Sequence, residues 1–486
     1  MSLYYDEVHE TRFHEALETI CDERLKLESK KLPPTLSEYE KVMGVILKYI
    51  KENKRVIYGG YAQHLLLIAK DPKQGIYRDI DRPDAEFYTP DLKGDVVNLC
   101  NELHAMGFPD VVAQDAQHES TFKIFVDYEG YCDITYRPQR VIDSIPVVPV
   151  SGYLCASPVF MYTDVFRTFA YPLDNFYRLT KTYKRTGMLI RDYPFHFKDV
   201  PRFQLKKFSY PEKNEVLKIV RDLGLVLGEI EAHNMYMRKA GMGKKAEITV
   251  PYIVCTSSSF QEDTIEIMKR LQQKHSGVMR EDYEGFLDLY GQRADFFVQK
   301  NDKKKVLLQV YDEKRCVSYV TIEGTRYLSI QALAFYLLAV YQKMMCDAIS
   351  KQIPDPKLND KMVIRRQMMN NLVEAKKTYF RANPSKTPVT KGIPFQEFIV
   401  ECVGVSYPER RAHRDRIKAR KKAKMPYVFK YDPVLPNSRK GLDFLKLRVP
   451  LGNKLPLKDV RSQGNYDEEK LERPVRERGD NESVPA

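Results

Sequence analysis

Val56-Ile57-Tyr58-Gly59-Gly60-Tyr61-Ala62-Gln63-His64-Leu65-Leu66 is the stretch on which the reading of the fold turns. Arg55 to Tyr58 reads as a short buried strand, Gly59-Gly60 as its stop, and Tyr61 to Ala69 as the helix that follows. Upstream, Ser37-Glu38-Tyr39-Glu40 matches a capping box, and Tyr39, Val42, Met43, Ile46, Tyr49 and Ile50 recur at helical spacing. An amphipathic helix is therefore expected over 37–52. Downstream, Ala85 to Thr89 predicts a strand, and Thr121 to Tyr136 a hairpin turning near Glu129-Gly130. Helix, strand, glycine turn, helix and further strands describe an α+β (α/β) domain over 37–150, a mixed sheet with flanking helices, behind an N-terminal helical segment at 1–36.

Residues 151–204 are rich in proline and aromatics and form a connecting region, with a basic helix expected at Tyr177 to Arg185. A second α/β domain is expected over 205–405. It opens with one long helix from Glu212 to about Lys239, continues through strands at Asp295–Gln299 and Val306–Tyr311, and ends with helices near 327–350 and 358–380. Asp288-Leu289-Tyr290-Gly291-Gln292-Arg293-Ala294 echoes residues 56–62 at three of seven positions, as a degenerate second copy of the first domain would. Residues 406–486 read as a basic arm and a largely disordered tail.

Lys and Arg number 79 against 66 Asp and Glu, an excess of 13 positive charges that favours polyanionic partners. The first residues show no basic region followed by an apolar stretch, so no signal peptide is expected. The longest apolar run, Ala332 to Tyr341, falls short of the roughly 20 residues that span a bilayer, and no membrane partner is expected. Eight scattered cysteines without a CxxC pair argue against a disulfide framework or a cysteine zinc site, and for a reducing cytoplasm.

Three places carry chemistry. A glycine corner between strand and helix lets bare backbone N–H groups and the helix dipole approach a phosphate, which fits Gly59 and Gly60. Asp84 and Glu86 stand two apart at a strand start, so they share a face. Asp133 lies between apolar neighbours on a later strand. Three converging carboxylates would repel one another unless divalent cations neutralise them, and hard cations prefer such oxygens. Each feature alone has a plainer reading, an ordinary turn or a solvated strand face; their order is what points to phosphoryl transfer. Asp79-Ile80-Asp81 is an alternative pair, but Arg82-Pro83 follows it and suits a loop.

Gly-Gly, then Asp-x-Glu, then a lone Asp on a later strand resembles the signature of polymerase-β-like nucleotidyltransferases. VIYGGYAQHLL, RPDAEFYTPD and GYCDITYRP together look like the poly(A) polymerase catalytic subunits of large DNA viruses, most like the mimivirus group. A looser similarity runs through residues 157–185. The resemblance implies a nucleotidyltransferase domain in which Gly59 and Gly60 hold the triphosphate, while Asp84, Glu86 and Asp133 ligate two Mg²⁺ (or Mn²⁺) ions. It implies AMP transfer from ATP to an RNA 3′ end, work in the host cytoplasm at the viral factory, and packaging in the virion. Poxvirus relatives use a separate processivity subunit; here the basic arm, the second domain or a homodimer could serve instead. The gap from Gly60 to Asp84 is longer than usual, and Glu86 stands where Asp is commoner.

For RNA, residues 410–424 hold nine basic residues and one Asp, a net +8: Arg410, Arg411, Arg414, Arg416, Lys418, Arg420, Lys421, Lys422 and Lys424. Tyr407, Tyr427, Phe429 and Tyr431 flank them as stacking candidates. Arg178, Lys181, Lys184 and Arg185 form a second basic candidate. His64 suits packing or phosphate approach. Gly241-Met242-Gly243-Lys244-Lys245 lacks the Ser or Thr of a P-loop, and His14-Glu15-Ala16-Leu17-Glu18 lacks the second His of a zinc protease. The alternatives are a nucleotidyltransferase of other specificity and a non-catalytic RNA-binding subunit on the same scaffold.

Overall fold

Short strands with apolar inner faces build two mixed sheets, each of eight strands. The computed structural model describes residues 7–31, 34–197, 200, 210–300, 302–353 and 360–456. The first sheet contains β1 (Val56–Tyr58), β2 (Ala85–Thr89), β3 (Val112–Asp115), β4 (Thr121–Val126), β5 (Glu129–Tyr136), β6 (Val147–Val150) and β7 (Tyr153–Ala156). The second contains β8 (Val226–Leu227), β9 (Ile253–Ser257), β10 (Val278–Tyr283), β11 (Arg293–Lys300), β12 (Lys303–Asp312), β13 (Val317–Ile322) and β14 (Thr325–Leu328). Two short strands complete them at the edges: β15 (Cys402–Val403) beside β13, and β16 (Lys430–Tyr431) beside β3.

The two sheets repeat one topology. Their orders, β3-β4-β5-β2-β1-β7-β6 and β10-β11-β12-β9-β8-β14-β13, match strand for strand. In both, the first strand pairs antiparallel with the second and parallel with the seventh, β1 with β7 and β8 with β14. β7 and β14 each run into a helix capped by a serine. Ser157 Oγ accepts from Phe160 N at the start of Pro158–Ala170, and Ser329 Oγ accepts from Ala332 N at the start of Ile330–Ser350. These two helices pack on each other within a core shared by the two halves, and a second apolar cluster lies inside the second half. Across the junction Asp288 receives Arg167 at 2.6 Å and Arg137 at 3.2 Å, while Glu313 accepts the hydroxyls of Tyr171 and Tyr336 at 2.5 Å each.

The register fixes which residues correspond. Tyr58 caps the helix Gly59–Ile68 at φ −132° and ψ −171°; Gly228 caps Glu229–Lys239 at φ −126° and ψ −168°. Each is followed by a residue with positive φ, Gly59 at 68° and Glu229 at 44°. Tyr58 faces Glu86, and Gly228 N donates to Val254 O. Glu86 faces Asp133, and Val254 faces Gln309. Counting along these strands, Tyr252, Val254 and Gln309 stand where Asp84, Glu86 and Asp133 stand in the first copy. The second site has no carboxylate triad, and Glu229, in the place of Gly59, turns to a buried ion pair with Arg365 at 2.7 Å.

Arg365→Ala should cost about 3–5 kcal/mol, because it strands the Glu229 carboxylate in an enclosed site. The urea midpoint measures this, and Glu229→Gly/Arg365→Met should recover much of the loss.

Several expectations shift. The first capping box is Thr35 with Glu38, not Ser37 with Glu40, so the helix is Leu36–Glu52. Gly59 and Gly60 are its successor's first residues, Gly59–Ile68, not a turn ahead of it. The long helix expected from Glu212 is two helices, Lys213–Asp222 and Glu229–Lys239, parted by Gly224 at φ 65° and by β8. The internal echo lies at Gly228, not Gly291. Cys316 and Cys402 form a disulfide despite the scattered cysteines, because β13 and β15 pair antiparallel and set their Cα atoms 5.0 Å apart. Ile330–Ser350 is long and apolar enough by length and composition to cross a membrane, and 61% of its apolar window is buried inside the protein. The final thirty residues, 457–486, lie outside the described ones.

Candidate active site

Glu86 and Asp133 face each other in register on the parallel pair β2 and β5, and Asp84 stands one residue before β2. Tyr39, from the helix Leu36–Glu52, fixes that approach by donating its hydroxyl to Pro83 O at 2.5 Å. Gly59 and Gly60 cover the same end of the sheet. Gly60 N and Tyr61 N both point to the Glu86 carboxylate, each 3.4 Å from one of its oxygens. A Cβ on Gly59 would lie 2.5 Å from that carboxyl group and would push it aside, and φ at 68° disfavours any other residue there. The sequence-predicted carboxylates and the glycine corner are thus one site.

Between the strands sits a residue no motif contains. Lys123, on β4 opposite Asp133, places Nζ 2.7 Å from Asp84 Oδ2 and 3.2 Å from Asp133 Oδ1. Asp133 Oδ1 is buried and meets the Lys123 ammonium alone. Burial first, and then the Asp84 charge, push the Glu86 carboxyl up to about 8. Burial raises Asp133 against the opposing pull of Lys123. Among the described residues no three His, Cys, Asp or Glu side chains are placed to hold a metal ion together: Glu86 turns to the glycine corner and Lys123 divides Asp84 from Asp133. By chemistry the donor set, carboxylate oxygens from three side chains, is of the kind hard divalent cations take, with Lys123 now bound to two of the three.

The Glu86 shift has a stability consequence. A carboxyl whose pKa rises from 4.5 on folding stabilises the fold fully below 4.5 and loses that contribution as pH climbs through about 8. In chelator, the protein should be less stable at pH 9 than at pH 5, with about 3–5 kcal/mol traceable to this group. Thermal melts of wild type and Glu86→Gln check it, the variant showing the flatter profile.

A cavity of about 210 Å³ opens from this corner, lined by Gly59, Gln63 and Glu86 on one side. Arg178, Lys181 and Arg185, from the turn Phe176–Arg178 and the helix Leu179–Asp192, line the other. Arg185 lies over the Tyr77 ring and reaches its hydroxyl at 3.3 Å. Lys184 is exposed and does not line the cavity. His64 is structural: its Nδ1 accepts from Ile76 N and Tyr77 N, which holds Tyr77 under Arg185. Asp79 and Asp81 are not brought to the site. They lie in the loop before β2, where Asp81 binds Arg78.

The basic segment is the helix Glu409–Lys422, docked on the first domain. Arg416 donates to Gln117 O and Arg420 to Asp115, both at 2.6 Å, and His118 meets Glu409 at 3.0 Å. Arg410, Arg411, Arg414, Lys418, Lys421, Lys422 and Lys424 are exposed. Phe429 and Tyr431 are buried by the pairing of β16 with β3, so they are unavailable for stacking, whereas Tyr407 and Tyr427 stay exposed.

The sequence matches the family model "Poly(A) polymerase catalytic subunit" over residues 44–175 and the model "APMV, Putative poly(A) polymerase, catalytic subunit, C-terminal" over residues 218–445. It is 28% identical over 445 residues to the "Putative poly(A) polymerase catalytic subunit" of Acanthamoeba polyphaga mimivirus, covering 83% of this chain and 74% of that one. A protein of the same name from African swine fever virus (isolate Pig/Kenya/KEN-50/1950) is 26% identical over 197 residues, covering 39% of this chain and 41% of its own. The crystal structure of the Megavirus polyadenylate synthase superposes with a TM-score of 0.83 at 23% identity, over 94% of this chain and 93% of that one, which shows the shared fold. One matched model spans the carboxylates and the glycine corner, the other the degenerate copy and the basic helix, and the chain belongs to the viral poly(A) polymerase catalytic subunit family.

Proposed function

We propose that this polynucleotide adenylyltransferase lengthens RNA by attack of the 3′-hydroxyl on the α-phosphorus of ATP, with pyrophosphate leaving in line. The observation that carries the reading is the register of Glu86 against Asp133 beside a corner where the positive φ of Gly59 and the close Glu86 carboxylate favour glycine. Asp84, Glu86 and Asp133 would hold two Mg²⁺ (or Mn²⁺) ions, which when bound supply charge neutralisation and an activated hydroxyl. Gly59 and Gly60 keep the backbone low enough for the triphosphate to approach the helix N-terminus. Arg178, Lys181 and Arg185 face that cavity and suit the phosphates better than the RNA backbone. The exposed face of Glu409–Lys422, with Lys184, suits the primer's phosphates.

Primer, each NTP in turn and Mg²⁺ should give long tails with ATP alone. Tails of equal length with every NTP would favour a nucleotidyltransferase of other specificity. Processivity would come from the chain's own basic surface or from a second copy. Light scattering during tailing separates these, since a processive monomer excludes the homodimer. The host cytoplasm and the virion are the locations this role would require.

A further inference from the structure

Lys123 lies outside the glycine and acidic motifs, yet among the described residues its ammonium sits between two of the three carboxylates. It joins Asp84, just before β2, to Asp133 on β5, at 2.7 and 3.2 Å, with the side chain 27% exposed. One positive charge against three carboxylates leaves the fully ionised cluster at −2.

The second domain supplies an internal comparison. Lys123 faces Asp133 across β4 and β5; Asp295 faces Gln309 across β11 and β12. Asp295 therefore holds the place of Lys123, and it binds Arg293 at 2.8 Å. The copy that lost Asp84, Glu86 and Asp133 lost the lysine too. A lysine needed only to pack this sheet would have no reason to leave with the carboxylates, whereas one that serves them would.

An ammonium at those oxygens does two things. It draws two carboxylates from neighbouring strands toward a common point, and it competes for the lone pairs that a divalent ion would take. We infer that Lys123 is a positioning residue that weakens the site's hold on a free divalent ion. Tight loading then requires the triphosphate, whose negative charge offsets the ammonium. This rests on the nucleotidyl transfer reading of the site, and it adds that metal and nucleotide enter together.

Mn²⁺ titrations followed by electron paramagnetic resonance test it on the full chain, with and without a non-hydrolysable ATP analogue. Wild type should bind Mn²⁺ weakly alone and at least tenfold more tightly with the analogue. Lys123→Met should bind Mn²⁺ alone at least tenfold more tightly than wild type, and the analogue should add little. Lys123→Arg should behave as wild type. Melts in chelator should show Lys123→Met less stable than wild type and rescued more strongly by Mn²⁺. If Lys123→Met does not fold in chelator, Lys123→Gln carries the same comparison. A folded variant that binds free Mn²⁺ no more tightly than wild type overturns the inference. Wild type that binds no Mn²⁺ even with the analogue overturns the metal reading of the site instead.

Discussion

Asp84→Ala and Asp133→Asn proteins should fold, bind RNA as wild type does, and extend a primer about 10³-fold more slowly. The size of the effect follows from what each oxygen faces. Asp133 comes from β5 and Asp84 from the approach to β2, so neither can cover for the other across the strand boundary. Neither is a main support of the fold. Asp84 has a side chain 37% exposed, and the Asn at 133 keeps the shape of the buried Asp while removing its charge. The loss should therefore appear in kcat, with the urea midpoint almost unchanged. Primer binding should be intact because the exposed basic helix Glu409–Lys422 lies on a different element. Variants that tail at near wild-type rates would remove these residues from the chemistry, and variants that merely unfold would show it in the melts.

Gly59→Ala should lower the tailing rate about 10²-fold while costing only about 1–2 kcal/mol of stability. The stability term comes from φ +68°, which an L side chain adopts poorly. The rate term comes from contact. The added methyl would lie 2.5 Å from Glu86 Cδ and Oε1, so the carboxylate must leave the backbone N–H groups that now orient it. Gly44 is the control, since a Cβ there meets nothing within 4 Å inside the helix Leu36–Glu52. Gly44→Ala should be stabilising by up to about 1 kcal/mol and leave tailing unchanged. Primer-extension rates and melts of the two alanine variants, side by side, decide it.

What was legible in the sequence was local. Strand β2 could be read because Phe87-Tyr88-Thr89 favours extended backbone and the acidic pair marks its start. The hairpin followed from two apolar runs a short turn apart, although the turn itself is Asp127-Tyr128, both at positive φ. The corner was visible because glycine is a strong punctuation mark, yet the same rule misplaced the repeat. In the second domain Glu229 occupies the positive-φ position, so no glycine pair marks it. The break between Asp222 and Glu229 was missed because apolar spacing persists through Gly224 while the strand inserted there is two residues long. Lys123 lies ten residues before Asp133, and only the antiparallel register sets them side by side. The burial of Phe429 and Tyr431 depends on an edge pairing with β3, more than 300 residues earlier in the chain. Cross-strand partners are set by topology, and topology was the part that local patterns carried least.

The central question is whether acidic side chains from two strands seat divalent ions at the glycine corner. Crystals soaked with Mn²⁺ and a non-hydrolysable ATP analogue, with data collected at the manganese edge, address it directly. Two anomalous peaks about 3.5–4 Å apart, within bonding distance of Asp84, Glu86 and Asp133 and beside the analogue's phosphates at Gly59, are the predicted result. Manganese and phosphates found elsewhere, with those three carboxylates left to Lys123 and the backbone, would contradict it.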